Sequence, residues 1–187
     1  MTYQENLLRK PLSVDDIDFR IQSINNGKYA TILAYKDARC DMNRLDEVFG
    51  VYGWKREHLR DNKNCVVSIW DGDNGHWVSK EDTGTESNTE QEKGLASDSF
   101  KRACFNLGIG RELYDYPLIS IKLKDDEVQE TGKQRPKYKA SFNLNLKKWK
   151  WHTEFNDKNE ITRLACKDDK GRLRFDWKKE LKVTKNE

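Results

Sequence analysis

The sequence predicts an α+β fold: an antiparallel sheet of hairpins and meandering strands with helices packed on one side, plus a β-rich C-terminal extension. Three observations predict this class. An Asn26-Gly27 turn lies between two strand-like runs. Three more strand-like runs follow one another between residues 55 and 82. Two segments with apolar residues at three- and four-residue spacing predict helices before and after those strands.

The composition bounds the class of protein. The 187 residues can form one substantial domain, with or without an appendage. Only 35% of the residues are hydrophobic, but the 11% that are aromatic can fill a packed core. The net charge is only +3, so any binding of nucleic acid must come from local basic patches.

Cysteine usage and the N-terminal segment predict a protein of the cytoplasm. The four cysteines are scattered, no C-x-x-C pair occurs, and the three histidines are isolated, so we expect reduced thiols and no metal site or cofactor. The segment MTYQENLLRK lacks the apolar stretch of a secretory signal, and no run is long enough to span a membrane.

The first half of the chain contains a hairpin followed by a helix. Residues 19–24 and 29–35 are the two strands that flank the Asn-Gly turn. Residues 37–49 predict a helix that ends before Gly50 and whose apolar side carries Met42, Leu45, Val48 and Phe49.

The next segment predicts a meander and a second helix. The candidate strands are residues 55–59, 65–70 and 76–82. Thr89 and Glu92 have the spacing of a capping box, which predicts the start of a helix there. Gly108 and Gly110 end this helix, and its apolar stripe consists of Ala96, Phe100, Ala103, Cys104 and Leu107.

The C-terminal part differs in composition. A short strand is expected at 118–124, and the acidic segment 125–132 is the best candidate for a linker. Three more strands are predicted at 149–155, 161–167 and 172–177. The predicted domains are therefore a core of residues 1–124, a linker of residues 125–140 and an extension of residues 141–187.

The second helix carries cations opposite its apolar stripe. Lys101 and Arg102 lie there with Phe105 between them and Asp98 alongside. Two cations beside an exposed ring suit a polyanion with stackable bases. The alternative is an ordinary solvated helix face with Phe105 buried under a neighbouring segment.

A second basic region spans residues 133–151. It contains seven lysines and arginines, no acidic residue, and Tyr138, Phe142, Trp149 and Trp151. Such a stretch can form a platform for a single strand of nucleic acid. It can equally be the wet face of an edge strand, where lysine discourages aggregation.

Three common motifs of nucleotide-binding and zinc-dependent enzymes do not occur. The sequence has no phosphate-binding G-x-x-x-x-G-K-[ST] loop, no dinucleotide fingerprint and no H-E-x-x-H motif. The acidic runs Glu81-Asp82 and Asp125-Asp126-Glu127 leave a metal-dependent nuclease as an alternative, although short acidic runs in loops are usually solvated.

Two blocks of the chain resemble the single-strand annealing proteins related to eukaryotic Rad fifty-two. The run SDSFKRACFNLGIGRELYDYP is similar to the family pattern T-D-x-x-K-R-A-x-x-x-x-G followed by L-Y-D. The run LDEVFG followed by GW is similar to the family segment N/D-E-x-F-G-x-x-G-W. The resemblance covers about residues 37–117, and Glu81-Asp82-x-Gly84 within it resembles a strand end of the family.

The resemblance implies a non-enzymatic protein of the phage recombinase type. It would bind single-stranded DNA and anneal complementary strands without ATP in homologous recombination and DNA repair. It would assemble with copies of itself into a ring or helical filament, and a phage exonuclease or a host single-strand-binding protein would be candidate partners. The alternatives are the nuclease and a passive module that binds single-stranded nucleic acid without annealing it.

The resemblance also implies a set of DNA-binding residues. Lys101 and Arg102 match the K-R pair on the DNA-facing helix of the family, and Lys93 precedes them in the same helix. Arg39 or Arg44 would stand for the basic residue of the preceding helix, although an ungapped alignment puts Cys40 at that position. Phe105 occupies a site where eukaryotic members often have another arginine.

Overall fold

The computed structural model describes residues 2–85, 91–132 and 137–180, and for residues 91–93 it describes the backbone alone. The α-helices are α1 (Tyr3–Leu8), α2 (Ala38–Phe49) and α3 (Gln91–Leu107). The strands are β1 (Ile17–Asn25), β2 (Tyr29–Lys36), β3 (Trp54–Leu59), β4 (Asn64–Asp71), β5 (His76–Thr83), β6 (Ile119–Lys122), β7 (Val128–Glu130), β8 (Tyr138–Ala140), β9 (Lys150–Phe155), β10 (Ile161–Lys167) and β11 (Leu173–Lys178). No described helix is long and apolar enough to cross a bilayer.

The chain forms two compact units, and each is assembled from two separate segments. The first unit consists of Met1–Leu12 and Lys36–Arg111, and the second consists of Ser13–Tyr35 and Glu112–Glu187. The predicted α+β class is confirmed, because helices and antiparallel sheets occur together and the C-terminal part is rich in strands.

The first unit is built around one antiparallel sheet in the order β3-β4-β5. The side chains of Cys65 and Val67 are fully buried on one face of β4, where α3 packs. Phe100 of α3 is also fully buried, and its ring lies 6.1 Å from the ring of Trp54. The apolar stripe of the helix therefore covers one face of this sheet, as its spacing predicts.

The second unit contains two three-stranded sheets, in the orders β1-β2-β6 and β11-β10-β9, and the β7-β8 hairpin. Apolar side chains from both sheets and from the segment between them form one core. Its buried members are Ala30, Ile32, Ile119, Ile121, Leu123, Leu144, Leu146, Trp149, Ile161, Leu164 and Cys166.

The local signals in the sequence explain where several elements begin and end. Asn26 and Gly27 both have positive φ, 50° and 63°, which is the conformation that a two-residue hairpin turn requires. The side chain of Asp37 accepts a hydrogen bond from the Arg39 amide at the start of α2. The capping pair Thr89 and Glu92 lies outside the residues whose side chains are described.

The acidic segment that the sequence favours as a linker contains a 3-10 turn and strand β7. Buried charges connect it to the C-terminal strands. Arg174 donates to both carboxylate oxygens of Glu127, at 2.6 and 2.7 Å. Asp168 accepts hydrogen bonds from Lys124 at 3.1 Å and from Arg172 at 2.9 Å. Because a buried charge that loses its partner is costly, this network fixes the segment in place.

The same network lowers the pKa values of Glu127 and Asp168. Burial alone would raise the pKa of the Glu127 carboxyl, but the hydrogen bonds from Arg174 and the Lys124 amide hold it below its usual range. Burial opposes ionisation of Asp168 as well, and the hydrogen bonds from Arg172 and Lys124 outweigh it, so the pKa of Asp168 is strongly lowered. Both carboxylates therefore stabilise the folded protein fully at a pH above their unfolded-state pKa values. This stabilisation is lost as the pH falls through their lower folded-state pKa values.

The predicted domain boundaries at residues 124 and 140 are untested. Core residues lie on both sides of residue 124, which favours C-terminal strands that complete the core, and truncation distinguishes this from a separate extension. A chain that ends at Lys124 keeps Ile32 and Ile121 but loses Leu164 and Cys166, which share their core. We expect this truncated chain to be insoluble, because apolar surface and the edges of strands become exposed.

The measurement is the soluble fraction after expression, followed by size-exclusion chromatography. A chain that ends at Glu180 retains every described strand and serves as the control. A soluble, monodisperse protein ending at Lys124 would show instead that the C-terminal part is an independent appendage.

Candidate nucleic-acid interface

Helix α3 is the rigid support of the candidate site. Gly84, directly after β5, permits its close packing against the sheet, because a Cβ atom there would lie 2.7 Å from the Leu95 carbonyl oxygen. The guanidinium carbon of Arg56 lies 4.8 Å from the centre of the Phe100 ring. The side chains on the other faces of α3 are therefore held on a fixed backbone.

Lys101 is half-buried near the start of α2. Its charge contributes, after the hydrogen bonds from Arg39, to lowering the pKa of the Asp37 carboxyl. Among the residues that the structure describes, no hydrogen bond or ion pair involves the Lys101 ammonium. This cation is therefore available to an external anion.

Arg39 lies at the same end of α2 and is 80% exposed. Its Nε and Nη2 atoms donate to the two carboxylate oxygens of Asp37, each at 3.1 Å. Arg39 and Lys101 thus flank one carboxylate at a helix N-terminus. The dipole of α2 makes this end positive as well, so the region favours anions.

Arg102 is partly neutralised. Its Nε atom lies 3.5 Å from Oδ1 of Asp82 in β5, and its side chain is 41% exposed. The side-chain amide of Asn106 donates to the other oxygen of Asp82 at 3.2 Å. A polyanion at Arg102 would therefore compete with an acidic residue of the protein itself.

Arg44 is used inside the protein. Its Nη1 atom donates to the carbonyl oxygens of Leu7 at 2.6 Å and Lys10 at 2.9 Å. Glu47 lies 3.4 Å from its Nε atom, and only 10% of the Arg44 side chain is exposed. Arg44 fixes the end of α1 against α2. Cys40, which an ungapped alignment puts at the family's basic position, is buried.

Phe105 covers a buried charge that sequence reasoning missed. The Nζ atom of Lys36 lies 4.1 Å from the centre of the Phe105 ring. Lys36 is only 2% exposed, pairs with Asp41 and donates to the carbonyl oxygen of Ile109 at 2.8 Å. One face of the Phe105 ring is therefore occupied within the protein.

Two signals in the sequence point to this buried pair. Lys36 follows Ala30 and Ile32 on the alternating, buried side of β2, whose other members are apolar. Asp41 precedes Leu45 at helical spacing on the apolar side of α2. Lys36 ends the buried side of β2 and Asp41 begins the buried side of α2. Two opposite charges on successive buried faces suggest a buried ion pair.

The buried pair has an electrostatic imbalance. Burial raises the pKa of the Asp41 carboxyl to about 6, although the charge of Lys36 opposes the shift. Oδ2 of Asp41 has no hydrogen-bond partner among the described residues, and the Cys104 thiol lies beside this carboxyl. The pair therefore depends on the surrounding packing.

The side chain of Lys93, the remaining predicted DNA contact, lies outside the described side chains.

In the C-terminal basic region, Trp151 stacks on Phe19 with ring centres 3.7 Å apart, and Trp149 is 8% exposed beneath Arg174. Phe142, by contrast, is 97% exposed. Two of the four aromatic residues in this region thus serve the core.

Three of the five acids in the runs that suggest a nuclease have side-chain partners within the protein. Glu81 accepts a hydrogen bond from Asn64, Asp82 pairs with Arg102, and Glu127 pairs with Arg174. Within the described ranges, no group of three or more His, Cys, Asp or Glu side chains is arranged to hold a metal ion.

Comparison with known proteins identifies a family. A model described as "Rad52/22 family double-strand break repair protein" matches residues 2–133, which is more than half of the chain. A search among curated proteins found no match.

The buried pair yields a test of the scaffold. Asp41→Asn leaves the Lys36 ammonium buried without a counter-charge, and we expect it to lower the free energy of unfolding by about 3–5 kcal/mol. The double variant Lys36→Met with Asp41→Leu removes both charges and should recover most of this loss. Urea unfolding of the unaltered chain, Lys36→Met, Asp41→Leu and the double variant gives the coupling energy. Additive losses in the double variant would contradict the inferred pairing.

Proposed function

Because the chain belongs to the Rad52/22 family of double-strand break repair proteins, we propose that it binds single-stranded DNA and anneals complementary strands without nucleotide hydrolysis. The family supports a general role in DNA recombination and repair and an annealing rather than catalytic activity. The match over residues 2–133 carries the proposal, and the cations beside α2 and α3 support this pair of helices as its site.

Lys101 and Arg39 are the proposed phosphate contacts. They come from two helices, flank Asp37, and lie where the α2 dipole also favours an anion. Arg102 is a further contact, and like Arg39 it already pairs with a carboxylate of the protein, here that of Asp82. Arg44 and Phe105 act through the scaffold, since their polar and aromatic surfaces are engaged by Leu7, Lys10 and Lys36.

Contacts of this kind explain annealing without an energy source. Lysine and arginine hold the phosphates and do not read the bases, so binding is independent of sequence. The bases of an extended strand then remain free to pair with a complementary strand. Pairing itself provides the driving force, and the protein lowers the barrier by keeping the strand extended and concentrated.

Assembly follows from the small number of contacts. A net charge of +3 and two or three phosphate contacts per chain give weak binding by one copy. Copies that share one strand convert each further contact into an intramolecular event and raise the overall affinity. The proposed state is therefore a homo-oligomer, as a ring or helical filament. It would act in the cytoplasm of a bacterial host with a phage exonuclease or host single-strand-binding protein.

The first test concerns the two cations. Lys101→Ala and Arg39→Ala should each weaken binding to a labelled oligodeoxythymidine and should each reduce the slope of log affinity against log salt by about 0.7. Fluorescence anisotropy at several salt concentrations measures both quantities.

Two control variants separate binding from folding. Lys63→Ala removes an exposed lysine of the first unit and should leave the slope unchanged. Arg44→Ala removes the contacts with α1 and should reduce thermal stability more than DNA affinity. If Lys101→Ala and Lys63→Ala give the same slope in folded proteins, the assignment of the phosphate contacts is wrong.

The second test concerns annealing and assembly together. Complementary labelled strands, mixed with protein in the absence of nucleotide and divalent metal, should anneal faster than the strands alone. Sedimentation at micromolar concentration should show a large homo-oligomer. A stable monomer that binds single strands tightly would overturn the shared-strand arrangement. An annealing rate that is the same with and without the protein would overturn the proposed function.

A further inference from the structure

The positive charge of the chain is concentrated outside the part that matches the family. Residues 1–133 contain 19 lysines and arginines and 24 acidic residues, a net charge of −5. Residues 134–187 contain 16 lysines and arginines and 8 acidic residues, a net charge of +8. A polyanion is therefore attracted more strongly by the C-terminal part than by the family-matched part.

The outer face of the β9-β10-β11 sheet displays part of this charge. Along β10, Leu164 and Cys166 point into the core, so Arg163, Ala165 and Lys167 lie on the opposite face. The strand pairing brings neighbours from the other two strands beside them on this outer face, and these are Lys150, His152, Glu154, Leu173, Asp176 and Lys178.

Like charges face each other across this sheet. Lys150 is the direct partner of Lys167, and Arg163 is the direct partner of Lys178. Like charges in directly opposite positions destabilise a sheet. Arg163 is compensated by Asp176 and Glu154, at 3.0 and 3.2 Å. The three lysines have no ion pair among the described residues, so the face retains an unbalanced positive charge.

Protection of edge strands from aggregation explains only part of the arrangement, because Lys150 and Lys178 lie on the edge strands β9 and β11 but Lys167 does not. β10 is the central strand of its sheet, with β9 on one side and β11 on the other. Lys167 on this strand therefore protects no open edge. An external anion between the opposed lysines would remove the repulsion.

The shape of the face suits an extended chain of phosphates. A groove of about 270 Å³ is lined by six residues of this face and by two neighbours along the strands, and these are Lys150, His152, Arg163, Ala165, Lys167, Leu173, Trp151 and Cys166. Lys167 and Arg163 are four residues apart on β10, which separates the two cationic pairs by roughly 13 Å. The Lys150–Lys167 end of the groove carries two cations without an ion pair among the described residues. At the other end, Lys178 lies beside Arg163, whose charge is balanced by Asp176 and Glu154.

We propose that this outer face is a second binding surface for the phosphate backbone of DNA, with Lys150, Lys167 and Lys178 as its contacts. The inference rests on the proposed function. In a protein that binds one DNA strand through α2 and α3, this face would bind a further segment of DNA. The lysines act as point charges, so the surface binds without reading sequence.

The test removes the three lysines together from the full chain. The variant Lys150→Ala, Lys167→Ala, Lys178→Ala should bind labelled DNA roughly tenfold or more weakly at about 0.1 M salt, and its salt slope should fall by roughly 2. Because it relieves the opposed charges, its Tm should equal or exceed that of the unaltered chain. The matched control Lys63→Ala, Lys158→Ala, Lys170→Ala removes the same charge from three turns, and its salt slope should equal that of the unaltered chain.

Single-stranded oligodeoxythymidine, a duplex of equal length and polyglutamate serve as separate probes. Loss of affinity for either DNA, with the control unaffected, supports the proposal and identifies which form of DNA binds. Equal effects in both triple variants, or a loss confined to polyglutamate, overturn it. If the unaltered chain does not anneal strands, the proposed function fails. If it anneals normally and the two triple variants behave alike, only the second surface is wrong.

Discussion

The first unit depends on one buried ammonium group. Lys36 brings together the end of β2, the first turn of α2 through Asp41, and the segment after α3 through the Ile109 carbonyl. Phe105 covers the group from α3. A buried cation tolerates few alternative arrangements, because each lost partner leaves an uncompensated charge in a medium of low polarity. The relative positions of α2 and α3 are therefore well defined, and this is what a site composed of side chains from both helices requires.

The cations of this protein fall into two groups with different consequences. Lys36, Arg44 and Arg174 are consumed by internal contacts with carboxylates, carbonyl groups and aromatic rings. Others, such as Lys101 and Lys167, remain without an ion pair in the described part of the chain. The net charge of +3 includes the cations of both groups, so it does not show that local surfaces of the protein attract anions.

A protein that anneals DNA must bind it without hiding the bases. Contacts limited to phosphates meet this requirement, and they also make affinity sensitive to salt. The internal use of the Phe105 ring is consistent with a site based on charge more than on stacking. In the proposed assembly, affinity would come from many weak contacts, and these would also permit the strand to leave once it has paired.

The sequence by itself determined the features that depend on neighbouring residues. The positive φ of Asn26 and Gly27 places the hairpin, and the apolar spacing around Phe100 predicts α3 and its buried face. Only the tertiary structure decided which cations remain available. Arg39 and Arg44 are equivalent in sequence, but Arg39 pairs with Asp37 beside it, whereas Arg44 donates to carbonyl groups in and just after α1, more than thirty residues away in the chain. Contacts between distant segments leave no local pattern, so the partners of a charged side chain become known only when the chain has folded.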